Sequence, residues 1–369
     1  MTTQPPNASL YPGEILDTIA GYPTIYNYQP STNSNDATTK PLIVCIPGGV
    51  HLARIYYGGH SGSSANNFLS YHLNKHGFNV LSVSYPLAST PAIMPATAPH
   101  FRINDWGRQT ATTAKKVIDE HALPASVILI GWSMGGRVLV PFTVSAKELG
   151  LHVEQFISFA ATPGISGLRP NLYQHPVTGS AGCTDVGYML KPARLENFVL
   201  QVEEMERYNG AEIIPRDVYL KEYVGGSPIS LTGLRLKYDG TGFVQDEMTH
   251  EEDSRVWDFA NCPLVSGLCP DGVLDASHAM ADRATWGFIL TYQLEIAIGN
   301  EGLKRVQGTG KWKRLLDFVH DAPRRLCWSV EGNHFFFVGK RAASEMADKV
   351  VRLIDEAVVF RREFDEILS

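Results

Sequence analysis

The chain is predicted to be an α/β protein built on a mostly parallel, doubly wound sheet. Short continuous aliphatic runs, such as residues 42–46, are typical of strands that are buried on both faces of a sheet. Amphipathic stretches of ten or more residues lie between those runs and indicate helices. Strand and helix alternate along much of the chain, which favours βαβ crossovers and parallel pairing.

The first 164 residues carry the clearest alternation. Two short strands near the start are expected to form an antiparallel pair, and the later strands are rich in Val, Ile, Leu and Phe. The intervening helices repeat apolar residues three or four positions apart. The predicted elements, in order, are strands 14–20, 24–28 and 42–46, helix 66–75, strand 79–85, helix 104–121, strand 126–130, helix 137–149 and strand 156–160.

The alternation stops after residue 164 and resumes near residue 263. The stretch between contains loops rich in Gly, Pro and Tyr, with helical pieces predicted near 195–208, 216–223 and 251–259. The resumed elements are strand 263–267, helices 277–298 and 311–319, strand 325–330 and a terminal helix 342–359. We therefore predict a core from 1–164 and 263–369, interrupted by an insertion, 165–262.

Length and composition allow a large core and argue against several classes of function. The 369 residues are 44% hydrophobic, enough for one large α/β domain with an inserted module, or for two ordinary domains. The net charge is −6 and no basic stripe occurs, so nucleic acid is not an expected partner. No apolar run reaches about 18 residues, so no membrane span is expected. The 5 cysteines are odd in number and scattered, which favours a reducing, cytoplasmic compartment.

A glycine-rich motif follows the strand 126–130. It reads Gly131-Trp132-Ser133-Met134-Gly135-Gly136 and contains Gly-x-Ser-x-Gly between a strand and a helix. A nucleophile at such a turn adopts cramped backbone angles, so its neighbours two positions away must be small. The turn lifts the hydroxyl of Ser133 clear of the sheet and lets the Met134 amide point at a developing oxyanion. Ser133 is therefore the predicted nucleophile.

In this context the motif resembles the nucleophile elbow of the α/β-hydrolase family. The resemblance covers residues 41–164 and 324–360, and extends more weakly over 263–323. It implies an α/β-hydrolase fold with a sheet of about eight strands. It also implies that the insertion 165–262 forms a mainly helical cap, which restricts access and builds most of the substrate pocket.

The predicted base is His334. A serine hydroxyl is a poor nucleophile at neutral pH and needs an adjacent base, normally a histidine held by a carboxylate. The family's chain order is serine, acid, histidine. Of the histidines that follow Ser133, only His334 lies between the last aliphatic strand and the last helix, where the family's base emerges.

The carboxylate partner of His334 has three candidates. It should follow the penultimate strand, which makes Asp271 the first choice. Asp271 is farther from His334 along the chain than one intervening helix implies, and an enlarged helical insertion would explain that. Alternatively, residues 263–267 belong to the cap, and the acid is Asp275 or Asp185.

A second oxyanion donor is predicted in the loop after the strand 42–46. The segment Ile46-Pro47-Gly48-Gly49-Val50-His51 occupies the place where related hydrolases have His-Gly followed by the donor residue. This match puts the donor amide at Gly49, with Val50 as the alternative. Pro47 stands where those hydrolases have histidine. We expect this difference to affect the contacts that support the loop more than the donor amide itself.

The resemblance implies hydrolysis of an ester or thioester through an acyl-enzyme. The large insertion and the aromatic helix 277–298 favour a bulky, largely apolar small-molecule acyl substrate, such as a polyketide-like chain of secondary metabolism. The predicted substrate-binding residues are Val50, His51, Trp132 and Trp286. Two alternatives stay open: a lyase or cyclase that uses the triad for proton transfer, and a receptor or carrier of hydrophobic ligands. No metal-ligand spacing or nucleotide-binding motif occurs, so neither a metal nor a cofactor is expected.

Overall fold

The computed structural model describes residues 9–33, 38–95, 97, 99–165, 168, 188–189 and 192–369. The strands of these residues, numbered in chain order, are β1 Glu14–Ile19, β2 Tyr22–Gln29, β3 Leu42–Ile46, β4 Val80–Ser84, β5 Ser126–Trp132, β6 His152–Phe159, β7 Tyr188–Met189, β8 Ser227–Pro228, β9 Leu236–Tyr238, β10 Phe243–Gln245, β11 Leu264–Pro270 and β12 Cys327–Val330. The helices are α1 Leu69–Lys75, α2 Ile103–Glu120, α3 Leu139–Glu148, α4 Pro192–Asn209, α5 Arg216–Val218, α6 Thr249–Ser254, α7 Ala276–Val306, α8 Lys311–Leu326 and α9 Lys340–Leu368.

An eight-stranded sheet with the order β1-β2-β4-β3-β5-β6-β11-β12 forms the centre of the molecule. The first two pairings, β1 with β2 and β2 with β4, are antiparallel. Every later pairing, from β4–β3 to β11–β12, is parallel. The predicted mostly parallel sheet of about eight strands is therefore confirmed.

The sheet is covered by helices on both faces. Alternate residues along a strand contribute to different cores, as Val44 and Ile43 of β3 do. One core includes residues of α2, α3, α7 and α8, and the other includes residues of α1, α4 and α9. Strands buried on both faces must be apolar throughout, which explains the continuous aliphatic runs in the sequence.

The parallel strands bring distant parts of the chain to one edge of the sheet. Trp132, the last residue of β5, pairs with Phe159 at the end of β6. Phe159 in turn pairs with Leu268 of β11, and Leu268 pairs with Trp328 of β12. The loops that follow β5, β11 and β12 therefore emerge side by side at the carboxyl edge.

Several elements are longer than the sequence predicts. Strand β11 extends to Pro270, beyond the predicted end at residue 267, because it pairs with both β6 and β12. Pro270 is the last residue of this strand. Helix α8 also continues past residue 319. Helix α7 has a kink at Gly299, where φ is 52°, directly after the predicted end at residue 298, and a second helical piece follows to Val306.

The segment between β6 and β11 contains helices and two small two-stranded sheets, β7–β8 and β9–β10. It contacts the core through short bridges, which pair His51 with Val224 and Ala88 with Gly226. The division into core and cap stays a prediction. Among the described residues, no helix combines the length and the apolar character that crossing a bilayer requires.

Candidate active site

Ser133 lies on a tight turn between β5 and α3. Its φ is 52°, a left-handed value that few residues other than glycine adopt. The flanking glycines permit this turn because the chain passes close to its neighbours. A Cβ atom at Gly131 would lie 2.7 Å from the Phe156 ring, and one at Gly135 would lie 3.1 Å from the Ile46 carbonyl oxygen. The strand, strained turn and helix together have the form of a nucleophile elbow.

His334 lies in the loop after β12 and contacts the residue that precedes Ser133. The indole Nε1–H of Trp132 donates to the His334 carbonyl oxygen at 2.9 Å, and the two rings lie 5.1 Å apart. On its other side, the His334 ring stacks on Phe198 of α4 with an interplanar angle of 12°. The His334 amide donates to Oε1 of Gln201, also on α4, at 3.0 Å. These contacts hold His334 at the same edge of the sheet as Ser133.

The carboxylate that contacts His334 belongs to Asp275. Its Oδ2 atom lies 2.8 Å from Nδ1 of His334, and Asp275 ends the short helical turn Val273–Asp275 that follows β11. An ionised carboxylate only accepts hydrogen bonds, so Nδ1 of His334 carries the hydrogen. In the neutral ring, Nε2 then keeps its lone pair and can accept a proton.

Asp271, the first choice from the sequence, contacts the loop before His334 rather than the imidazole. Its Oδ1 accepts the Gly332 amide at 3.2 Å, and its own amide donates to the Val330 carbonyl oxygen at 3.0 Å. Because β11 runs to Pro270, Asp271 continues the pairing with the chain after β12. The turn 273–275 then brings the next carboxylate over His334. The third candidate, Asp185, lies outside the described residues.

A second histidine–aspartate pair, which the sequence analysis missed, lies beside His334. His278 and Asp282 are four residues apart on α7 and therefore share one face of the helix. Nδ1 of His278 lies 2.8 Å from Oδ2 of Asp282, and the His278 ring centre is 4.8 Å from that of His334. The i,i+4 spacing directly after the candidate acids is the signal that could have identified this pair.

Asp275, His278 and His334 are the described residues that could hold a metal ion. Each offers one donor atom, and these atoms lie within 4.8 Å of one another. Histidine nitrogen and carboxylate oxygen are common ligands of zinc. However, each imidazole already contacts a carboxylate through Nδ1, so hydrogen bonding alone explains the cluster. The expectation of no metal and no cofactor stays a prediction.

The loop after β3 lies directly against Ser133. A Cβ atom at Gly48 would lie 2.7 Å from Cβ and 3.3 Å from Oγ of Ser133, while one at Gly49 would lie 3.4 Å from Sδ of Met134. The Val50 amide, the alternative oxyanion donor, already donates to Oγ of Ser227 at 2.6 Å. The Gly49 amide is therefore the better candidate of the two.

Three of the predicted substrate-binding residues are fully buried and bonded within the protein. His51 contacts the Gly49 carbonyl oxygen and the Tyr219 hydroxyl, and burial lowers the pKa of its imidazole to about 3. Trp132 is bonded to His334, as described above. Trp286 donates to the Ala161 carbonyl oxygen at 2.9 Å and packs on Phe156, because it lies on the face of α7 that is turned toward the sheet. Trp286 is therefore a core residue in this structure. In contrast, Trp132 directly precedes Ser133, and the His51 ring packs against Trp132.

The arrangement of these groups along the chain decides the fold. Ser133 follows β5, Asp275 follows β11 and His334 follows β12, all at the carboxyl edge of a mostly parallel sheet. The chain has the α/β-hydrolase fold. The strand order and the elbow carry this assignment.

The chain is similar to several solved structures at low sequence identity. No family model and no curated protein matches the sequence. Among solved structures, an esterase from Thermogutta terrifontis is 9% identical with a TM-score of 0.49 and covers 93% of this chain and 98% of that one. A bromoperoxidase from Bacillus anthracis is 13% identical with a TM-score of 0.42 and covers 93% and 99%. The thioesterase domain of a curacin biosynthetic pathway is 11% identical with a TM-score of 0.40 and covers 92% and 98%. At these identities, the chemistry must be argued from the site's own residues.

Proposed function

We propose that this protein is a serine hydrolase that cleaves an ester or thioester through an acyl-enzyme. The observation that carries the proposal is the contact between Asp275 and His334, held beside the strained turn at Ser133. A serine hydroxyl, an imidazole and a half-buried carboxylate on the Nδ1 atom of that imidazole form the set of groups that acyl transfer requires.

The first half of the reaction forms the acyl-enzyme. Oγ of Ser133 attacks the acyl carbonyl carbon while Nε2 of His334 takes the hydroxyl proton. The carbonyl oxygen becomes an oxyanion, which the amides of Gly49 and Met134 stabilise. When the intermediate collapses, His334 returns the proton to the departing alcohol or thiol, and the acyl group stays on Ser133.

The second half of the reaction releases the acid. Water attacks the acyl-enzyme, and His334 takes a proton from that water. The same amides stabilise the second oxyanion. Collapse then expels Oγ of Ser133, which regains its proton from His334. Throughout, Asp275 keeps the imidazole in one tautomer and stabilises its charged form.

The aromatic surroundings of the site favour a bulky, largely apolar acyl group. Trp132, Phe198 and Phe335 surround the rings of His51 and His334. Aromatic walls stabilise apolar acyl chains by removing their surface from water. An acyl thioester of secondary metabolism, such as a polyketide-like chain, fits this class.

Labelling with a fluorophosphonate tests the proposed nucleophile. This reagent phosphonylates an activated serine, and intact-protein and peptide mass spectrometry should place a single adduct on Ser133. Ser133→Ala should abolish both labelling and hydrolysis, whereas Ser145→Ala, which alters another buried serine on α3, should retain both. Retained hydrolysis in Ser133→Ala would overturn the proposal.

The substrate class is tested with matched ester and thioester series. We expect kcat/KM for p-nitrophenyl esters and for N-acetylcysteamine thioesters to rise as the acyl chain lengthens. Rapid quenching should trap an acyl adduct on Ser133. Product formation without any adduct would instead indicate a lyase or cyclase, and tight ligand binding without turnover would indicate a carrier.

A further inference from the structure

Two consecutive peptide groups next to the nucleophile are held through their carbonyl oxygens. The Gly48 oxygen accepts the Tyr85 hydroxyl at 3.0 Å, and the Gly49 oxygen contacts Nδ1 of His51 at 2.7 Å. In a trans peptide group, the N–H points opposite to the C=O of the same plane. Holding the Gly48 oxygen therefore sets the direction of the Gly49 N–H, which is the proposed oxyanion donor.

The first hydrogen-bond chain reaches this loop through two hydroxyls. Because a carbonyl oxygen only accepts, Tyr85 must donate to Gly48. Ser227 lies 2.9 Å from the Tyr85 oxygen and therefore donates to it. The oxygen of Ser227 in turn accepts the Val50 amide at 2.6 Å. The donor of each of these hydrogen bonds is therefore determined. The chain of donors runs from the Val50 amide through the Ser227 and Tyr85 hydroxyls to the Gly48 oxygen.

The second hydrogen-bond chain runs through His51. Burial lowers the pKa of this imidazole to about 3, so the ring is neutral near neutral pH. Nδ1–H must donate to the Gly49 oxygen, which leaves Nε2 as an acceptor. The Tyr219 hydroxyl, 2.7 Å away, then donates to Nε2. This chain runs from Tyr219 through His51 to Gly49.

Each chain includes one residue of the segment inserted between β6 and β11. Tyr219 lies on a short helical turn, and Ser227 begins β8. The backbone of this segment also meets the loop, since the Gly225 amide donates to the Val50 carbonyl oxygen at 2.9 Å. All the linking side chains are buried, so water does not compete for their bonds.

We propose that Tyr85 and Ser227, which fix the Gly48–Gly49 peptide plane, and Tyr219, which fixes the following Gly49–Val50 plane through His51, are positioning residues. Together they hold Gly49 on both sides and aim its amide at the oxyanion, so that the inserted segment completes the oxyanion site when it is seated on the core. This inference rests on the proposed hydrolase function. None of the three side chains needs to touch the substrate. Each acts by fixing a peptide plane, which keeps the donor preorganised before charge develops.

A matched pair of tyrosines makes the test specific. Tyr219 and Tyr223 lie one turn apart, are both buried, and each bonds through its hydroxyl to a buried histidine of the core. Tyr219 contacts His51, which bonds the oxyanion loop, whereas Tyr223 contacts Nδ1 of His60 at 2.6 Å. Replacing either tyrosine by Phe removes one hydroxyl group and keeps the ring, so the two replacements change packing to nearly the same small extent.

The readout is the second-order rate constant of fluorophosphonate labelling at Ser133, because this reaction also places negative charge on an oxygen. Loss of a whole oxyanion donor costs about 10²–10³-fold, so we expect misalignment in Tyr219→Phe or Ser227→Ala to lower the rate by about tenfold. Tyr223→Phe should stay within about twofold of the unchanged protein. Kd for a trifluoromethyl ketone, which forms an oxyanion on Ser133, should weaken in parallel, whereas Kd for the corresponding alcohol should not.

The outcomes separate this inference from the function on which it rests. No labelling of the unchanged protein would overturn both. Normal labelling with equal rates in Tyr219→Phe, Tyr223→Phe and Ser227→Ala would overturn the positioning role alone. Thermal melting of each variant checks that a slower rate does not reflect unfolding. If Tyr219→Phe does not fold, the smaller deletion Ser227→Ala decides the question by itself.

Discussion

The Oδ2 atom of Asp275 lies 2.8 Å from Nδ1 of His334, and the two side chains are only 11% and 3% exposed. A carboxylate that is so weakly exposed to water accepts the Nδ1–H hydrogen of the imidazole with little competition from solvent. It also fixes which ring nitrogen carries hydrogen in the resting state. The proposed role of Asp275 therefore leads to a kinetic prediction.

We expect Asp275→Asn to lower kcat by about 10⁴-fold, because the amide can stabilise the wrong tautomer and cannot stabilise the imidazolium. Asp271→Asn, the control, changes a carboxylate that accepts the Gly332 amide and should cost less than about tenfold. Steady-state kinetics on one ester substrate checks both variants. A larger loss in Asp271→Asn than in Asp275→Asn would contradict the assignment.

The closeness of Gly48 to Ser133 gives a second prediction. A methyl group at position 48 would lie 2.7 Å from Cβ of Ser133, so Gly48→Ala must displace the nucleophile or the loop. Displacement by about 1 Å can cost about 10²-fold in rate, and we expect a loss of that order in labelling and in kcat.

Gly267→Ala is the matched control for Gly48→Ala. Gly267 is also a buried glycine, on β11, but a Cβ atom there would meet no neighbour closer than 3.6 Å. We expect this variant to keep its activity. If the two variants have the same labelling rate, the loop does not lie against Ser133 as described.

The fold and the setting of Ser133 could be predicted from the sequence because both depend on local patterns. Buried parallel strands give continuous apolar runs, and the elbow needs small residues at fixed offsets from Ser133. The loop of His334 could be located because it lies between two clear elements at the end of the chain.

The rest of the site depends on contacts that local patterns do not record. Asp271 and Asp275 follow the same strand, and only the true end of β11 at Pro270 decides which carboxylate reaches His334. The contact between Tyr85 and Ser227 joins residues 142 positions apart. No spacing rule in the sequence indicates such a pair.

Trp286 provides a test of core against substrate-binding roles. Trp286→Phe removes the hydrogen bond to the Ala161 carbonyl oxygen and leaves that oxygen buried, which should lower the free energy of unfolding by about 1–3 kcal/mol. KM should stay unchanged because the ring lies in the core.

Trp312→Phe alters a tryptophan that is 50% exposed and should change stability by less than about 0.5 kcal/mol. Urea unfolding and KM measurements separate the two roles, and a raised KM with normal stability would restore Trp286 to the substrate site.

The buried imidazole of His51 makes stability depend on pH. Burial lowers its pKa from 6.5 in the unfolded chain to about 3 in the folded one. Between these values the unfolded state binds the additional proton, so the free energy of unfolding falls as the pH decreases from about 6.5 toward 3. Each such histidine contributes a slope of about 1.4 kcal/mol per pH unit.

His51→Gln should therefore reduce that slope by about 1.4 kcal/mol per pH unit, although it also lowers stability at neutral pH. His250, whose pKa burial likewise lowers to about 3, keeps part of the dependence in the variant. His152→Gln, the control, replaces an exposed histidine at the start of β6 and leaves His51 unchanged, so the contribution of His51 to the slope should persist. Urea unfolding at several pH values between 4 and 6.5 gives the slopes, because that window lies between the folded and unfolded pKa values. An unchanged slope in His51→Gln would mean that His51 can take a proton in the folded state, in which case Nε2 could not be the acceptor for Tyr219.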